Sequence, residues 1–175
     1  MKKLIAALMS LCLIVCAAAA FAAEPEVMKI NWADYEAQAA NVEGQFANVA
    51  DSGLMMFIPA EFKDTDIPDE VLEGGTFMVL KSDKEEKAVV NAQILPLDID
   101  AFEAAMEKNG STLYATELNG LSCLQFSAEA DGIATSCFAF ATDQGTVLAF
   151  TFSLSNQEPY TELYKLMAAA IPRAE

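Results

Sequence analysis

The sequence contains no histidine. That removes the usual general base near neutral pH, the commonest transition-metal ligand, and the Ser-His-Asp and Cys-His mechanisms together. Basic residues are scarce, 10 Lys+Arg against 26 Asp+Glu, which argues against a polybasic nucleic-acid binder. Only four cysteines are present, too few for a disulfide-dense mini-protein, and there is no Cys-x-x-Cys. Two cysteines alone cannot fill a structural zinc site. No Gly-x-Ser-x-Gly, Walker loop or Gly-x-Gly-x-x-Gly occurs. No cofactor is implied.

What is present is a leader and a globular remainder. Lys2 and Lys3 precede an apolar run over residues 4–15, and Ala20-Phe21-Ala22 offers a small-x-small cleavage site. Residues 1–22 therefore read as a signal peptide, and residues 23–175 as a single exported domain, periplasmic or secreted. The alternative is a retained span over residues 4–23, which just reaches the length a bilayer needs. The Ala-rich end and the following Glu24-Pro25-Glu26 favour cleavage, after which no membrane span is expected. Neither Cys12 nor Cys16 follows a small residue, which disfavours a lipoprotein. Loss of the leader leaves eight basic residues and a formal charge of −18, which repels nucleic acid and anionic lipid.

The elements follow from periodicity and turn residues. A helix is predicted over residues 31–40 with Asn31 as cap, then strands over 45–50 and 54–58 around Asp51-Ser52-Gly53. Residues 61–75 read as an acidic connection with one helical turn at Pro68. Residues 76–81 and 88–95 form a predicted hairpin. Asp98 caps a helix with Ile99, Phe102 and Met106 on one face, ending at Asn109-Gly110. Four strands follow, over 112–118, 121–127, 136–142 and 146–153, separated by Asn119-Gly120, Asp131-Gly132 and Asp143-Gln144-Gly145. A closing helix near 159–170 carries Tyr160, Leu163, Tyr164 and Met167. Alternation groups Leu124, Phe126, Phe138, Phe140, Leu148, Phe150 and Phe152 on one sheet face. Cys123, Cys137, Ala139, Val147 and Ala149 fall on the other. The fold class is α+β: an α-β-α sandwich around a mainly antiparallel sheet, with a C-terminal four-strand meander and a closing helix.

Three groups of residues are candidate sites. Cys123 and Cys137 remain after leader removal, and an even count in an oxidising compartment suggests a disulfide. A register pairing Cys123 with Cys137 also sets Leu124 opposite Ser136; two buried free thiols are the alternative. Asp64, Asp66, Asp69 and Glu70 form an oxygen-rich stretch that could take calcium, or serve as solvated helix-start residues. Trp32 and Tyr35 could line a carbohydrate or peptide groove, or simply be core.

Gly53-Leu54-Met55-Met56-Phe57-Ile58-Pro59 resembles the early proline-ended strand of the PsbP-like superfamily. Leu148-Ala149-Phe150-Thr151-Phe152-Ser153, followed by Tyr160 and Ile171, resembles its last strand and closing helix. The resemblance spans most of residues 45–172 as an order of elements. It implies an α-β-α sandwich in a family dominated by binding and accessory roles, and it carries over no functional residue. The expectation is an exported non-enzymatic binding or accessory protein, with an unidentified protein or small-molecule partner. The alternatives are a hydrolase using a carboxylate pair and a structural envelope protein.

Overall fold

A computed structural model describes residues 27–49 and 52–171. The signal segment, residues 1–22, lies outside the described residues. In chain order the elements are β1 (Met28–Ile30), a 3-10 turn (Trp32–Asp34), α1 (Glu36–Ala39), β2 (Gly44–Asn48), β3 (Met55–Pro59), β4 (Phe62–Asp64) and α2 (Asp69–Leu72). They continue with β5 (Thr76–Ser82), β6 (Val89–Leu95), α3 (Ile99–Lys108), β7 (Tyr114–Leu118), β8 (Leu121–Ala130), β9 (Ile133–Ala141), β10 (Val147–Ser153) and α4 (Tyr160–Ala170).

Eight strands make one sheet in the order β1-β7-β8-β9-β10-β6-β5-β4, and β2 and β3 pair separately. All neighbours in the large sheet run antiparallel except β1 and β7. The turns explain why. Asn119 and Gly120 both have positive φ, 47° and 86°, and so do Asp131 and Gly132, at 53° and 73°. Two left-handed residues in a two-residue loop match the right-handed twist of the flanking strands. Leu118 therefore pairs with Leu121, and Ala130 with Ile133.

The second of these turns corrects the predicted register. Ala130 opposite Ile133 places Phe126 opposite Cys137 and Leu124 opposite Ala139. Relative to a Cys123–Cys137 pairing the strands are offset by three residues, and an odd offset exchanges the faces of one strand. Leu124 and Phe126 consequently leave the aromatic face and join Cys137, Ala139, Val147 and Ala149 under α3. Cys123 moves the other way, among Phe138, Phe140 and Phe152.

α3 forms as its sequence predicts: the Asp98 carboxylate accepts the Ala101 N–H at 2.8 Å, and Phe102 and Met106 are buried. On the aromatic face, α4 lies against Phe138, Phe150 and Phe152 through Tyr160, Tyr164 and Met167. Phe152 and Tyr164 have ring centroids 5.2 Å apart, and Phe138 meets Phe152 edge-on at 6.0 Å. Phe150 and Phe152 are fully buried, each contributing roughly 1.5–3 kcal/mol relative to exposure. The helix is more enclosed than a single stripe would make it. Its far side, Leu166, Ala169 and Ala170, is covered by Trp32 and Phe57. Thus α4 runs between the large sheet and an outer layer that includes β3, and alanines let the layers approach.

Two short strands escape the periodicity argument. β1 and β4 have three residues each and sit at the two sheet edges. The predicted helix over 31–40 is instead a 3-10 turn and one turn of α-helix; Asn31 makes no side-chain cap.

Candidate functional site

The structure does not bring the sequence-derived candidates together as sites. Cys123 and Cys137 are both buried, on opposite sheet faces, and are not bonded to each other. The expected disulfide is therefore replaced by the alternative of two separate thiols. Burial pushes the Cys123 thiol up to about 12, because a thiolate there would be desolvated. Cys137 Sγ accepts a contact from Thr151 Oγ1 at 3.9 Å. Asp64, Asp66, Asp69 and Glu70 are all exposed. Among the described residues no group of three or more acidic or cysteine side chains is placed to hold a metal ion. Asp69 and Glu70 occupy the first turn of α2, where negative charge suits the helix dipole. Trp32 is buried, meeting Phe46 edge-on at 5.2 Å and Phe57 at 6.2 Å, with Tyr35 packed beside them. This pair is core.

The described residues also form a groove that no local pattern announces. It lies where β8 and β10 begin and β6 and β9 end, with a volume of about 770 Å³. Phe140 of β9 and Leu148 of β10 pair across the sheet and form its floor. Leu54 stands on one side, Leu72 of α2 on another, and Ile94 and Leu121 complete the rim. Leu72, Ile94 and Leu121 are three of the six exposed large hydrophobic residues among the described residues. Gly75 positions this rim. Its carbonyl accepts the Ile94 N–H at 2.9 Å, its φ is 86°, and a Cβ there would lie 2.1 Å from the Ile94 oxygen.

One end of the groove is polar. The β9–β10 turn contributes Thr142, Asp143, Gln144 and Thr146. The two threonine hydroxyls bond each other at 2.7 Å, and Thr142 N–H donates to the Thr146 carbonyl at 2.9 Å, so the turn is internally braced. The sequence missed this site because its walls come from segments scattered between Ser52 and Leu148. The only sequence signal is an apolar residue at each of several element ends.

A second depression, about 330 Å³, is lined by Glu43, Glu61, Asp83 and Lys84 with Val42, Pro59 and Ala60. Glu61 Oε2 accepts from Lys84 Nζ at 2.6 Å, and Oε1 accepts from Ser82 Oγ at 3.1 Å. The carboxylate beside it holds the Lys84 ammonium above its usual range. Ser82 Oγ also lies 3.4 Å from the Tyr160 hydroxyl. Tyr164 Oη is buried without a hydrogen-bond partner among the described residues, and burial raises its phenol above the ordinary value. Both oxygens of Glu61 are thus occupied by neighbours of its own chain.

No family model matches the sequence, and no curated protein matches it. Solved structures do. The solution structure of cyanobacterial PsbP (CyanoP) from Synechocystis is similar over 74% of this chain and 92% of that one, with a TM-score of 0.53 and 12% identity. A crystal structure from Bacteroides thetaiotaomicron is similar over 70% of this chain and 45% of its own, with a TM-score of 0.47 and 11% identity. The order of elements, the helix-covered sheet faces and the likeness to the cyanobacterial PsbP structure agree: the chain has a PsbP-like fold.

Proposed function

We propose that this is an exported, non-enzymatic binding or accessory protein whose working surface is the apolar groove. In this reading residues 1–22 direct export and are removed after Ala22, and residues 23–175 act as one domain in the bacterial envelope or secreted space. The leader pattern and the absence of histidine support it. Among the described residues no helix is long and apolar enough to cross a membrane. The observation that carries the binding role is the groove itself, a 770 Å³ concavity with Leu72, Ile94 and Leu121 exposed at its rim. Pockets of roughly 300–1,000 Å³ lined by apolar side chains with a few polar groups are the usual form of a small-molecule site. Exposed apolar surface of this kind otherwise costs solubility without return.

The carboxylate-pair hydrolase is less well supported. Its best location is the second depression, and there Glu61 is tied to Lys84 and Ser82. The test uses the full chain expressed with its leader in a bacterial host. Mass spectrometry of the extracytoplasmic product should give a chain beginning at Ala23. Binding of the neutral apolar fluorophore N-phenyl-1-naphthylamine should be saturable, and weakened by Ile94→Ser combined with Leu121→Ser. A cytoplasmic, unprocessed product would overturn the export reading; binding indifferent to those substitutions would overturn the groove.

A further inference from the structure

We infer that the groove takes a single-chain amphiphile with a neutral or cationic head group, its apolar body over Phe140 and Leu148 and its head at the β9–β10 turn. This rests on the groove being the binding surface. The argument is the distribution of polarity along it. Apart from Ser52 and the buried Thr76 the floor and rim are apolar, while four of its polar residues, Thr142, Asp143, Gln144 and Thr146, come from one turn at one end. Of these, the threonine hydroxyls are satisfied by each other. The Ser52 hydroxyl, also at the groove, is satisfied by the Val49 carbonyl. Asp143 and Gln144 are exposed and stand as the groups able to meet a ligand's head. Among the described residues Asp143 is the only charged one lining the groove, and no lysine or arginine lines it. A carboxylate or phosphate head would face that anion with no compensating cation, in a chain already carrying a formal −16. A hydroxyl or ammonium head meets a hydrogen-bond acceptor instead.

The test is displacement of bound N-phenyl-1-naphthylamine by three twelve-carbon probes below their micellar concentrations: dodecyltrimethylammonium, monododecanoylglycerol, and dodecanoate at pH 8. The first two should displace the fluorophore at concentrations at least about tenfold lower than dodecanoate. Asp143→Lys should abolish that preference. Glu107→Lys, the same change of charge on an exposed position of α3, should leave it intact. Dodecanoate as effective as the other two would overturn the assignment of ligand class while the groove still stands. So would equal effects of the two lysine variants, which would mean that the overall field of the protein, not Asp143, discriminates. A fluorophore that does not bind, or binds equally after Ile94→Ser with Leu121→Ser, removes the groove and the inference together. Circular dichroism of each variant identifies loss of fold.

Discussion

The side-chain amide of Asn119 donates to the carbonyl oxygen of Ala169 at 2.6 Å, joining the β7–β8 turn to the last turn of α4. The same side chain accepts the Trp32 N–H through Oδ1. One residue in a two-residue turn thus ties the sheet, the closing helix and the N-terminal 3-10 turn, while holding a φ of 47° that asparagine tolerates better than most residues.

Asn119→Ala should therefore cost about 3 kcal/mol, the sum of two hydrogen bonds at roughly 1 kcal/mol each and a left-handed conformation for alanine. Asn119→Gly keeps the turn and should cost about 2 kcal/mol. Urea unfolding of the two variants checks this; equal costs would mean that the backbone conformation contributes nothing.

Gly75→Ala should destabilise by about 2–4 kcal/mol, since it combines a left-handed φ with a Cβ at 2.1 Å from the Ile94 backbone oxygen. Gly53 has a similar φ, 71°, but open space around its would-be Cβ, so Gly53→Ala should cost only about 1 kcal/mol. The comparison separates backbone strain from collision. Gly75→Ala should also weaken fluorophore binding, because Ile94 lies on the groove rim.

The two thiols should behave as buried and separate. Dithiothreitol should leave the melting temperature unchanged, and thiol reagents should titrate two groups only after denaturation. Burial holds the folded Cys123 thiol at about 12, above its ordinary 9.0. Above pH 9 the unfolded chain releases a proton that the folded chain keeps. Stability from this residue is thus complete below about pH 9 and falls as pH rises toward 12. Tyr164 shifts in the same direction. Cys123→Ala should flatten the alkaline fall in melting temperature, and an unchanged slope would show that Cys123 does not contribute to it.

Calcium at millimolar concentration should not raise the melting temperature. Asp64, Asp66, Asp69 and Glu70 are exposed and do not gather into a site, and a ligand stabilises only where it binds the folded state preferentially. A shift abolished by Asp66→Asn would reverse this conclusion.

The sequence by itself determined what local chemistry controls. Asp98 and Gly110 bound α3, and the Asn119-Gly120 and Asp131-Gly132 pairs mark hairpins. The apolar faces of β9 and β10 follow from strict alternation. These features depend on capping, on left-handed φ and on a two-residue period, all legible within a few positions. The β8–β9 register was legible too, since a two-residue Asp-Gly turn requires Ala130 opposite Ile133; the attraction of pairing two cysteines pointed elsewhere. Tertiary structure alone decided the rest. β1 and β4 exist because longer neighbours offer edges to three-residue segments too short to carry a period. Trp32 became core because Phe46, Phe57 and α4 converge on it. The groove arose where ends of distant elements meet, and its exposed rim reflects the absence, among the described residues, of a covering layer over Leu72, Ile94 and Leu121. Local rules specify elements and their faces; which faces stay uncovered depends on how the elements stack.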